Sequence, residues 1–361
     1  MNIRLLIPLE NLNLIGNKSF MINNFLITND LSIKQKFLDS PSFLRHFGQC
    51  AIDSIKENVF IVYKGESKGF ELIAQCESIE EIAHKIGGYI NHMLFCSWFV
   101  KDNSIYATGT YVELLEQSGD GQDIGVQGCY SSGSVYNTNS ECKNAKVSFG
   151  LTDLEHLNSY FDRTQDFGQQ SEETKNVLLP IAPGSNIKQG SLGKITYKID
   201  RVSRAFLFLQ LVRRTEIPFF KISYQMALFE CLFTIGTTDS TYQVTRHPAL
   251  YLGGSLAEIN ENIKFIDDAY NVRSKFFHGD ILRDYPSDLL IDMNKRLEEL
   301  SRIILLRAMK EPGLFINSTS TKQKSLYRAY WRNRSLELGY EYVLPSASKK
   351  CIYNKNINTL A

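Results

Sequence analysis

Apolar and polar positions along this chain fall into two textures that meet near residue 200. In the first, residues 58–63 (NVFIVY) and 70–74 (FELIA) read as strands, joined by the turn-like stretch 64–69 (KGESKG). The run Ser78-Ile79-Glu80-Glu81 has the form of a capping box and opens a helix through Ile82, Ile86, Ile90 and Leu94. Residues 104–115 alternate well enough for another strand, so the first 110 or so residues read as α+β. Residues 117–145 are rich in Gly, Ser, Asn and Gln and read as an exposed loop, and a short helix is expected at 151–160.

The polar stretch 165–189, with Pro180 and Pro183, reads as a linker. Beyond it the apolar spacing becomes helical, predicting helices at 200–214, 219–236, 245–254, 258–278 and 287–310. Asp200 is placed to cap the first and Pro218 to start the second, and the last carries the stripe Leu289, Met293, Leu297, Leu300, Ile304. Five helices with short connections make an antiparallel bundle. The expected organisation is an α+β domain at 1–175, a linker at 176–198, an all-α bundle at 199–312 and a C-terminal tail at 313–361.

The fourth of these helices holds the most informative residues. Its stripe runs Ile259, Ile263, Ile266, Tyr270, then Arg273, then Phe277, so an arginine stands where an apolar residue is expected. A guanidinium on a core-facing seam is costly unless it is paired or used. His278 follows five residues later, and Gly279 is suited to end the helix in a left-handed turn. Arg273 and His278 are therefore expected together near a helix end.

This segment, Ala269-Tyr270-Asn271-Val272-Arg273-Ser274-Lys275-Phe276-Phe277-His278-Gly279, resembles the HEPN superfamily, specifically its Apea-like domains with their Arg-Ser-Lys-x-x-His-Gly signature. Residues 227–233, with Glu230, look like that family's acidic helix, and 244–252 like its short following helix. The resemblance covers about residues 200–310 and implies a HEPN-type antiparallel helical bundle. It also implies metal-independent endoribonuclease activity with Arg273 and His278 as the catalytic pair, a homodimer whose two motifs line one cleft, and a role in abortive infection, defence or toxicity. Ser274 stands where many active members have Asn, Asp or His. Gly279-Asp280 replaces the tyrosine of members silenced by AMP addition, which argues against that form of control.

The physical chemistry of the pair is consistent with that activity. Cleaving RNA through its own 2′-hydroxyl requires proton transfer and stabilisation of a phosphorane-like charge. Histidine, with an ordinary pKa near ~6.5, suits the first task. Arginine, always charged and forked, suits the second. The products are a 2′,3′-cyclic phosphate and a 5′-hydroxyl. Glu230, Asn271, Ser274 and Lys275 are supporting candidates. The alternative is structural: Arg273 pairs with Glu230 inside the bundle, His278 caps a helix end, and the protein is a non-catalytic RNA-binding or assembly module.

Composition narrows the field. At 361 residues with 43% apolar positions, the chain suffices for two folded domains. No apolar run approaches the ~20 residues of a membrane span, and the N-terminus lacks the features of a secretion signal, so a cytoplasmic protein is expected. Seven cysteines (50, 76, 96, 129, 142, 231, 351) are scattered without Cys-x-x-Cys and read as reduced, mostly buried thiols. His84 and His92, eight apart, read as surface or edge residues. No metal site and no cofactor are expected. Net charge is +1, but residues 1–200 carry 17 Lys/Arg against 23 Asp/Glu and residues 201–361 carry 23 against 16. A polyanion would thus meet the C-terminal part, leaving the N-terminal domain to contact a regulatory partner or trigger. In the tail, Arg328, Arg332 and Arg334 interleave with Tyr327, Tyr330 and Trp331, a pattern suited to single-stranded RNA or to a terminal arm packed on the protein.

Overall fold

The computed structural model describes residues 2–16, 19–66, 70–119, 123–168, 200–235, 240–280, 285–315 and 321–340. The expected linker at 176–198 lies outside them.

The N-terminal part is built on a seven-stranded antiparallel sheet with β1 (Asn2–Glu10) near its centre. Beyond β1 come β3 (Ser19–Ile22), β4 (Phe25–Thr28), β5 (Val59–Glu66), β7 (Thr110–Gln117) and β8 (Asp123–Ser131), in the order β3-β4-β5-β1-β7-β8. The short β6 (Tyr106–Ala107) also pairs with β1, while β2 (Leu12–Leu14) and β9 (Val147–Phe149) form a separate parallel pair. β1 is buried on both faces, hence its nearly continuous apolar run.

Among the described residues four helices accompany the sheet: α1 (Leu31–Leu38), α2 (Pro41–Lys56), α3 (Ile79–Val100) and α4 (Leu151–Gly168). Ser78 caps α3 by accepting from the Glu81 amide, but Glu81 accepts from the Glu77 amide, so the box closes one residue early. On the sheet face toward α1 and α2, Leu6, Phe60, Val62 and Tyr111 make a small core. Beside it Arg4 and Glu113, directly opposite on β1 and β7, form a buried ion pair that also takes in His46 Nδ1 at 2.8 Å.

Two strand expectations change. Residues 70–74 form consecutive turns, with the Ile73 amide donating to the Phe70 carbonyl at 3.0 Å and both of those side chains buried. Their burial three residues apart is the period of a turn rather than a strand. Within the expected loop, residues 123–131 are β8, an edge strand. Its glycines serve close packing: a Cβ on Gly125 would lie 2.5 Å from Glu113 Oε1, and one on Gly128 would lie 2.6 Å from His46 Cβ.

The C-terminal part is helical: α5 (Arg201–Arg214), α6 (Pro218–Phe233), α7 (Ser240–Leu252), α8 (Leu256–His278), α9 (Ser287–Ala308) and α10 (Thr321–Glu337). Asp200 caps α5 by accepting from the Ser203 amide at 2.8 Å, and Pro218 opens α6. The two parts share one continuous apolar core, in which Phe95 and Phe99 of α3 meet Phe206 of α5.

A buried polar seam runs beside those rings. The end of α3 carries no basic residue of its own; Arg213 of α5 donates to the Leu94 and Phe95 carbonyls, and Arg302 of α9 to the Trp98 carbonyl at 2.7 Å. Cations thus meet the negative end of the helix dipole. Trp98 Nε1 donates to Glu298, which also pairs with Lys221 at 3.3 Å, both charged groups being buried. Burial pushes the Glu298 carboxyl above its usual range, against the pull of Lys221. Among the described residues no helix is long and apolar enough to cross a membrane.

Of the six described cysteines, all free, only Cys96 is buried and Cys50 is exposed, so the expectation of mostly buried thiols fails. His84 is exposed on α3. His92 is half-buried, with Nε2 2.9 Å from the Thr164 hydroxyl of α4.

Candidate functional site

The candidate residues lie where the last turns of α8 meet α6: Phe276 stacks on Phe219 near the start of α6, and Arg273 reaches Glu230 near its end. Ser255 and Glu258 close a complete capping box at the start of α8. Its end is set by Gly279 at φ 77°, where the Gly279 amide donates to the Phe276 carbonyl and the Asp280 amide to the Lys275 carbonyl at 2.9 Å. The backbone closes this terminus, so the His278 side chain is not its cap.

The apolar seam of α8 drifts from its expected course. Ile259, Ile266, Ala269 and Val272 are buried, while Tyr270 is half-buried and Phe277 is 59% exposed. Arg273 consequently lies at the edge of the core, not on it. Its Nη2 is 3.3 Å from Glu230 Oε2, and the two side chains are 29% and 28% exposed. The guanidinium carbon sits 5.6 Å from the Tyr270 ring centroid and 5.4 Å from that of Phe277. Arg273 Nε is buried and makes no hydrogen bond among the described residues. Burial pushes the Glu230 carboxyl above its usual range, only partly opposed by Arg273. The charge of Arg273 is therefore held in place by Glu230 and two rings.

His278 is exposed in the last turn. Five residues along an α-helix amount to ~7.5 Å of rise and ~140° of rotation, so Arg273 and His278 project in different directions from one helix end. No hydrogen bond or ring contact joins them among the described residues. Asn271 is exposed, Ser274 half-buried, and half-buried Lys275 holds its Nζ 5.2 Å from the Tyr285 ring centroid. The described residues contain no group of three or more His, Cys, Asp or Glu able to hold a metal ion.

The tail residues separate into two kinds. Trp331 is fully buried, stacked on His247 of α7 at 4.5 Å with an interplanar angle of 6°, and Tyr327 is buried beside it. Neither is open to a nucleobase, which corrects the expectation that Trp331 contacts RNA. The reason is apolar: α10 fills the gap over Phe233, Tyr251 and His247. Arg334 donates to the Leu250 carbonyl and pairs with Glu337, while Arg328 and Arg332 are exposed.

Sequence reasoning overlooked the rings around this helix end. Phe276 stacks on Phe219 (5.3 Å, 7°), meets Phe220 edge-on (5.2 Å) and touches Phe277 (5.7 Å). The signal was present as two Phe-Phe doublets, 219–220 and 276–277. Neighbours on a helix lie ~100° apart, so a doublet rarely buries both rings. No family model, no curated protein and no solved structure matches this chain.

Proposed function

We propose that this protein is a metal-independent endoribonuclease of HEPN type, acting as a homodimer in an abortive-infection, defence or toxin role. The supporting observation is an exposed histidine in the same terminal turns as an arginine that Glu230 and two rings hold in place. The 2′-oxygen attacks phosphorus, the P–O5′ bond breaks, and the 2′-hydroxyl loses one proton as the leaving 5′-oxygen gains one. His278 of one chain takes the 2′-hydroxyl proton while a protonated His278 of the second chain gives a proton to the leaving 5′-oxygen, and Arg273 bonds the non-bridging oxygens as negative charge grows. One imidazole serves one side of the phosphorus, so a second chain supplies the other.

The test is incubation of mixed tRNA and mRNA in EDTA with wild type, Arg273→Ala and His278→Ala. Wild type is expected to leave 2′,3′-cyclic phosphate and 5′-hydroxyl ends, with each variant slower by about 100-fold or more. Equal cleavage by all three would refute the assignment. The Arg273–Glu230 pair favours a second reading, a non-catalytic RNA-binding or assembly module. That module binds RNA in a salt-sensitive way and leaves it intact.

A further inference from the structure

We propose that Phe277, with the rings packed behind it, is a stacking ledge for an unpaired nucleobase of the RNA strand; the inference rests on the ribonuclease reading and specifies its substrate as single-stranded. Phe277 is 59% exposed although it follows the apolar spacing of its helix. One side of its ring is occupied by the Arg273 guanidinium carbon, 5.4 Å from the centroid, and Phe276 lies against it at 74°. Phe276 is itself fixed between Phe219 and Phe220. Phe277 therefore rests on a packed base, and little ordering remains to be done when a ligand arrives.

The chemistry at its border selects the occupant. A planar apolar face beside a half-buried guanidinium that Glu230 holds from one side, with exposed His278 on the next residue, offers stacking to a base and charge to its phosphate. Bases inside a duplex have both faces covered, so the ledge accepts only a base that is already unstacked.

Binding is measured in the full-length protein carrying His278→Ala, so that affinity is read without turnover. The probe is a fluorescein-labelled single-stranded RNA of about 12 nucleotides, compared with the same strand annealed to its complement, in EDTA, by anisotropy. Adding Phe277→Ala is expected to weaken single-strand binding by about 5- to 100-fold and leave duplex binding unchanged. Phe277→Tyr is expected to retain the affinity, which separates loss of a stacking face from loss of fold.

No single-strand binding by the parent, or equal affinity after Phe277→Ala, overturns the ledge. So does a Phe277→Ala protein that sediments as a monomer while its affinity per protomer is unchanged, because the patch then serves protein contact. Wild-type cleavage scored in parallel keeps the two ideas apart. Phe277-dependent binding without cleavage retains the ledge and rejects the nuclease. His278-dependent cleavage with binding indifferent to Phe277 does the reverse.

Discussion

A carboxylate held at the edge of a core beside a single guanidinium ties the site to pH. Because burial raises the Glu230 pKa, the folded state holds that proton more tightly than the unfolded chain does. Its contribution is most favourable below the ordinary value of 4.5 and declines as pH rises through the raised folded value. Glu230→Gln is expected to flatten that part of the stability profile in denaturant titrations. It also leaves Arg273 without a counter-charge, so single-strand affinity should rise by about 2- to 5-fold at neutral pH. An unchanged affinity would mean that Arg273 does not meet the phosphate. At this scale Arg273, Glu230 and His278 were legible, because each breaks a pattern or follows a motif. Phe277 was not, since it follows the apolar spacing of its helix and only the tertiary packing, which takes Phe276 instead, leaves it exposed.

Among the elements, the end of α8 depends on one backbone conformation. Gly279 adopts φ 77°, and a Cβ there would meet no atom within 4 Å, so substitution costs backbone strain alone. Gly279→Ala is expected to destabilise by about 1 kcal/mol, measured by urea denaturation, and to slow RNA cleavage by displacing the adjacent His278. Loss of stability with full activity would separate His278 from the chemistry. Caps and apolar stripes made the helices readable, from Asp200 at α5 to the Gly279 stop. β8 was hidden because Gly125 and Gly128 resemble loop residues, whereas they admit Glu113 and His46 side chains from neighbouring elements. Proximity across the fold leaves no trace in a local pattern. The tail behaved similarly, its Trp331 being claimed by a histidine 84 positions earlier.

For the whole molecule, acid should act through a buried imidazole. His247 is 2% exposed, its Nδ1 donates to the Phe233 carbonyl at 3.0 Å, and burial lowers its pKa from 6.5 to about 4. Between those values the unfolded chain binds the proton and the folded one does not. The stability this provides is present above 6.5 and disappears as pH falls toward about 4, amounting to about 3 kcal/mol. His247→Phe, which keeps a flat ring against Trp331, is expected to be weaker at pH 7 yet flatter across this window. A wild-type stability that rises on acidification through the same window would contradict the assignment.

The arginines that α5 and α9 lend to the end of α3 have a further consequence for how the polypeptide can be divided. They are bonds between regions far apart in sequence, and they do not need an intact chain to persist. A recognition site for a specific protease placed between Gly168 and Asp200 should yield two fragments that migrate as one particle after cleavage. Alanine at both Arg213 and Arg302 should weaken their association while the shared apolar core still draws them together, making the protein a candidate for a two-piece reporter whose affinity this seam tunes.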